Sequence, residues 1–128
     1  MIWLYLLMDV VIFPPNFVRK DKCWVHTDQA PNQKGRHCIQ GFVSLTANES
    51  TSFVVYDGSH LLHEKYFADK NETHGKRWNL IDQKFVDSGT RKVLKVNPGD
   101  LVLWDARTLL WKCCRRKTCS IRMLLTKK

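Results

Sequence analysis

Turn residues cut this chain into pieces too short for anything but strands and brief helical turns. Gln29–Arg36 and Ala47–Ser52 are polar, Asp57-Gly58 ends an apolar run, and Asn97-Pro98-Gly99-Asp100 is a strong turn signal. Between them lie short segments rich in aromatic and β-branched residues. Strands are expected over Cys23–Asp28, Cys38–Thr46, Phe53–Tyr56, Lys92–Val96, Leu101–Trp104 and Ser120–Leu125. Leu61–Ala68 suits a helical turn or two, and Asp69–Ser88 is a polar excursion without sustained period. Several short strands at regular spacing predict an all-β sandwich or barrel.

A length of 128 residues allows one domain, 1–128, with a core of its own. No apolar run approaches the ~18 residues that span a bilayer, so no membrane span is expected. The apolar stretch Met1–Phe13 lacks leading basic residues, is broken by Asp9 and runs into Pro14-Pro15, which suits a buried strand better than a secretory signal. A chain that opens directly in core strand is expected to be truncated at the N-terminus of its domain.

Twenty-one basic residues against 12 acidic give a net charge of +9, with seven basic and no acidic residues from Lys112 to Lys128. Such a run can meet an anionic partner, or can guard a strand edge against pairing. It has no interleaved aromatics to stack bases, so nucleic acid is not expected. The five cysteines include no Cys-x-x-Cys, and Cys113 and Cys114 are adjacent. They read as reduced thiols of an intracellular, cytoplasmic protein.

The sharpest chemical signal is His26-Thr27-Asp28. Residues two apart on a strand share a face, so imidazole and carboxylate can converge on one divalent metal. With a distant second histidine they would form the 2-His-1-carboxylate triad of non-haem iron(II) oxygenases. Alone, the tripeptide is more often a surface pair.

Its surroundings are more specific. Trp24-Val25-His26-Thr27-Asp28-Gln29-Ala30-Pro31, then Gln40–Leu45, then Val54-Val55-Tyr56-Asp57-Gly58-Ser59-His60, then Pro98-Gly99-Asp100-Leu101-Val102-Leu103-Trp104-Asp105-Ala106-Arg107-Thr108 follow in order. Together, from about Phe13 to Thr108, they resemble the phytanoyl-CoA dioxygenase family of iron(II)/2-oxoglutarate oxygenases. The resemblance implies a double-stranded β-helix, that is, a cupin-like jelly roll. It also implies Fe(II) and 2-oxoglutarate as cofactors, with ascorbate as a helper, and a small-molecule substrate. Carried over residue by residue, His26 and Asp28 are metal ligands, and Arg122 binds the distal carboxylate of 2-oxoglutarate through its planar fork.

The departure falls at the third ligand. Two residues beyond Thr108, where the family places a histidine, stands Leu110. Asp105, Cys113 and Cys114 are the conceivable substitutes, although Asp105 matches a position that the family does not use as a ligand. Two functions compete: an oxygenase, active or degenerate, and a non-catalytic jelly-roll module that binds an anionic partner through the basic C-terminal face. His37, His60, His63 and His74 read as solvated or capping residues. Trp104 reads as core. Asp69–Ser88, with Lys70, Lys76, Arg77 and Lys84, reads as the lid that selects substrate.

Overall fold

The computed structural model describes residues 7–12, 24–45, 51–114 and 122–127, with 7–12, 51–52, 112–114 and 122–127 described as backbone. Nine strands form: β1 (Leu7–Ile12), β2 (His26–Thr27), β3 (Ile39–Ser44), β4 (Thr51–Asp57), β5 (Asn79–Leu80), β6 (Thr90–Leu94), β7 (Leu101–Asp105), β8 (Leu110–Cys114) and β9 (Arg122–Lys127). A 3-10 segment, Ser59–Leu62, leads into helix α1 (His63–Asp69), and α2 spans Gln83–Asp87.

The strands pair antiparallel into two sheets. One runs β1-β9-β3-β7 and the other β5-β2-β8-β4-β6. Successive strands mostly change sheet, so the chain winds back and forth between the layers. Alternation along the strands explains what each face buries. From the first sheet Phe42, Val102 and Trp104 point inward; from the second Phe53, Val55 and Leu110 meet them, with Val96 and Leu94. Phe42 and Phe53 meet edge to face at 5.3 Å, and both lie near the Trp104 ring. Trp104 is half-buried at the edge of this cluster, with its indole N–H donating to Gln40 Oε1 at 3.0 Å.

The second sheet is apolar on its outer face too, because helices cover it. Val25, Val54, Tyr56 and Leu109 form that layer with Val86, Ile81 and Phe85 from the α2 region. Here β4 shows why its sequence Phe53-Val54-Val55-Tyr56 does not alternate in polarity: both faces are buried. Tyr66 of α1 packs on Phe85 of α2 at 4.5 Å. The first sheet lacks such a cover among the described residues, and Ile39, Leu45, Leu101 and Leu103 are exposed. Gly41 is required on that face: a Cβ there would stand 2.5 Å from Leu103 Cδ2 and 2.7 Å from the Val102 carbonyl. Gly58, at φ +72°, turns the chain from β4 into the 3-10 segment, a conformation that glycine adopts without steric cost.

The expected strands are present with ends shifted by at most three residues, and β2 is shorter than Cys23–Asp28 suggests within the described residues. Strand β8 and the short β5 and α2 were not foreseen. Among the described residues no helix is long and apolar enough to cross a membrane.

Candidate functional site

Strand β2 carries His26 and Thr27, and its neighbours on either side are β5 and β8. Alternation sends Val25 to the helix-covered face, where it joins the outer cluster. His26 and Asp28 take the other face, toward the space between the sheets. The His26 Nε2 stands 3.7 Å from Asp28 Oδ1. His26 is 5% exposed and Asp28 is half-buried.

The tautomer of His26 follows from its partners. Its Nδ1 lies 3.0 Å from the Trp24 carbonyl, which can only accept, so Nδ1 carries the proton. Burial pushes the His26 pKa down, against smaller upward pulls from the Trp24 carbonyl and the Asp28 carboxylate. The neutral ring then presents a bare Nε2 lone pair toward a carboxylate oxygen. Two acceptors that face each other this closely suit a shared cation or proton. A ring nitrogen tied to a backbone carbonyl is also how metal-binding histidines are usually oriented.

Two indoles flank the ring. Trp24 stacks on it at 5.1 Å with planes 8° apart, and Trp78 tilts over it at 5.3 Å. Trp78 sits at φ +62°, a conformation costly for a bulky residue, and is 44% exposed. Half-exposed, it forms a wall beside the imidazole.

The position at which the resemblance expects a third ligand is apolar. In the β2–β8 ladder, Leu110 is the direct partner of His26. Leu110 is 6% exposed and packs into the inter-sheet cluster with Phe42 and Phe53. A divalent cation between His26 and Asp28 would thus find two donors and a leucine. Among the described residues, no group of three or more His, Cys, Asp and Glu side chains is placed to hold a metal. Asp105 does not substitute, since both its oxygens receive Arg107: Nε to Oδ1 at 3.0 Å and Nη2 to Oδ2 at 2.8 Å. Burial raises the Asp105 pKa, but the Arg107 bonds outweigh it and hold the carboxylate below its ordinary range. Cys113 and Cys114 close β8, opposite Ser52 and Thr51, and Arg122 opens β9 opposite Ile12. The side chains of Cys113, Cys114 and Arg122 lie outside the described residues.

The backbone around the pair is fixed from several directions. The amides of Asp28 and Gln29 both donate to the Ala106 carbonyl at 3.0 Å. The Gln29 side chain, buried, donates to the carbonyls of Gln33 and Gly35 and accepts from the His37 amide, which closes the 29–37 turn on itself.

His63 differs from its sequence reading. It is 1% exposed rather than solvated, with Nε2 3.2 Å from the Gln29 carbonyl and Phe67 edge-on at 4.9 Å. The signal was present: His63, Tyr66 and Phe67 fall at helical spacing on one buried face. The 69–88 excursion is also more structured than its composition suggests. Asn79 is buried on β5, pairs with Thr27, and donates to the Lys76 carbonyl at 2.8 Å. His37 and His74 are exposed, and His60 is half-buried.

No family model matches the chain. It is 31% identical over 105 residues to Ava biosynthesis cluster protein O of Aspergillus versicolor, an alignment covering 70% of this chain and 34% of that protein. Among solved structures it is similar to an N-substituted L-amino acid dioxygenase from Burkholderia ambifaria AMMD, with a TM-score of 0.51 and 15% identity over 93% of this chain and 46% of the other. A second structure of that dioxygenase, in complex with alpha-KG, matches with the same TM-score at 17% identity and the same coverage. The fold is therefore one that a dioxygenase also uses, and this chain spans about a third of the curated relative and under half of the structural one.

Proposed function

We propose that residues 1–128 carry the double-stranded β-helix core of an iron(II)/2-oxoglutarate oxygenase of the phytanoyl-CoA dioxygenase type, with its metal site reduced to two protein ligands. The two sheets are then the two halves of the jelly roll. His26 and Asp28 are the ligands, Arg122 is the 2-oxoglutarate carboxylate partner, and the substrate is a small molecule. The observation that carries this reading is the buried, Nδ1-tied imidazole whose free Nε2 faces Asp28 Oδ1 at 3.7 Å. The likeness in fold to a dioxygenase solved with alpha-KG agrees with it.

The donor set fits a divalent metal in part. His26 and Asp28 suit it; Leu110, across the ladder from His26, cannot donate to it. Two ligands hold iron(II) far more weakly than three. The expected behaviour of this chain is weak iron binding and little or no 2-oxoglutarate turnover.

That same leucine favours a second reading, a non-catalytic binding module on the oxygenase fold. Leu110 fills the third place with core rather than leaving a gap that an outside ligand could take. The anionic partner in this reading rests on the basic run 112–128 alone.

Anaerobic iron(II) titration with 2-oxoglutarate, watched for the visible charge-transfer band, tests both readings. With micromolar reagents the wild-type chain should show no band and Leu110→His should show one. Succinate production with iron(II), ascorbate and 2-oxoglutarate completes the test. Robust turnover by the wild type would mean that a group other than position 110 supplies the third ligand. An unchanged iron affinity in Leu110→His, together with no turnover by the wild type, would remove the oxygenase reading.

A further inference from the structure

One short stretch, Ser59–Glu64, grips both arms of the site from the outer face of the second sheet. On the β8 side, Ser59 Oγ accepts the Leu109 amide at 2.9 Å and donates to the Tyr56 carbonyl at 2.6 Å. On the β2 side, His63 donates from Nε2 to the Gln29 carbonyl at 3.2 Å. Glu64 Oε1 accepts the Gly35 amide at 2.7 Å, at the far end of the same turn. Each buried bond thus lands one residue from a site position: Leu109 beside Leu110, Gln29 beside Asp28. Ser59 and His63 are both buried.

Packing alone does not explain a histidine here. The Gln29 carbonyl can only accept, so Nε2 carries the proton, and the Nδ1 lone pair is left buried with no hydrogen-bond partner. Thr27 Oγ1, buried on the neighbouring strand, is unpartnered as well. An unpaired buried polar atom is destabilising, so an apolar side chain would serve the fold at least as well as His63. What the imidazole adds is the shorter of two N–H bonds to the Gln29 carbonyl, 3.2 Å against 3.5 Å from Asn79 Nδ2.

We propose that Ser59 and His63 are positioning residues: together they set the placement of the Asp28–Gln29 backbone of β2 against the Leu109–Leu110 backbone of β8. The proposal stands on the clamp itself and leans on the metal-site reading only for its second test.

The first test needs no metal. Amide hydrogen exchange is followed in the full chain for wild type, His63→Leu and His63→Gln. In His63→Leu the Asp28 and Gln29 amides should lose at least about tenfold protection while core amides such as Val54 keep theirs and the melting temperature holds. His63→Gln, which keeps an N–H donor, should restore protection in part. Ser59→Ala should do the same to the Leu109 amide, with Ser59→Thr as the rescue. Protection lost equally across the core, or unchanged at Asp28 and Gln29, would overturn the proposal.

The second test places the same substitutions in the Leu110→His chain and titrates cobalt(II) by its visible spectrum. His63→Leu should weaken cobalt binding by about 10–100-fold, the range of outer partners of metal ligands, and His63→Gln should recover it. Equal affinity in all three would also overturn the positioning role. Should Leu110→His itself bind no cobalt, the metal-site reading falls and hydrogen exchange alone decides the clamp.

Discussion

Strands β2 and β8 lie side by side and meet at His26 and Leu110, yet they are built to opposite ends. On the β2 arm buried polar groups find partners, the His26 ring at the Trp24 carbonyl, the Asp28 and Gln29 amides at Ala106, the Gln29 carbonyl at His63 and Asn79, and only Thr27 Oγ1 among them is left without one. On the β8 arm Leu109 and Leu110 feed the two apolar clusters on either face of the sheet. Directly beside His26, β8 thus presents a core leucine and no donor. The polar arm fixes side chains and backbone through hydrogen bonds; the apolar arm holds the sandwich together.

Breaking the apolar arm should have the larger effect. Leu110→Ala removes a buried side chain from the inter-sheet cluster and should cost about 2–5 kcal/mol of stability by denaturant unfolding. A cost no larger than that of a surface change would show that β8 is not core. On the polar arm, His26→Leu frees the Trp24 carbonyl, at about 1–3 kcal/mol for an unpaired buried group, but adds apolar burial in return. Its net effect on stability should therefore be smaller than that of Leu110→Ala, while any divalent-metal binding is lost.

Acid should act on the polar arm and its clamp. Burial lowers the pKa of both His26 and His63, so the unfolded chain takes up protons before the folded one does. Stability from these two rings is complete above the ordinary histidine value of ~6.5 and is lost as pH falls through their lower folded values. Denaturant midpoints across pH 7 to 5 should fall, and a His63→Leu chain should fall less. The smallest effect belongs to the exposed pair Lys92–Asp57 on β6 and β4, 2.6 Å apart. Lys92→Ala should leave the melting temperature unchanged within error, because exposed ion pairs are screened.

How much of this was legible in the sequence depends on what each segment had to satisfy. His26-x-Asp28 and the Gly99–Thr108 run were readable because a strand of period two and a Pro-Gly turn have fixed local chemistry. Strand β8 was not, since Leu110–Cys114 leads into a basic, cysteine-bearing stretch with no alternation; only its pairing with β2 and β4 makes it a strand. His63 was misread because its sequence neighbours Glu64 and Lys65 are polar, whereas burial on a helix is decided by Tyr66 and Phe67, three and four residues on. The direct pairing of His26 with Leu110 is a matter of register between strands 84 residues apart in sequence number (110 less 26), and no local pattern encodes it.

The paired indoles around His26 give the site an optical voice of its own. Trp24 lies flat against the imidazole and Trp78 leans over it from a half-exposed position. Indole emission is sensitive to a nearby imidazolium and to a paramagnetic ion, so protonation of His26 or occupancy beside it should dim these two emitters ahead of Trp104, half-buried at the edge of the inter-sheet cluster. The share of the intrinsic fluorescence that comes from Trp24 and Trp78 is thus a label-free gauge of events at one histidine, and Trp78→Phe separates the exposed emitter from the stacked one.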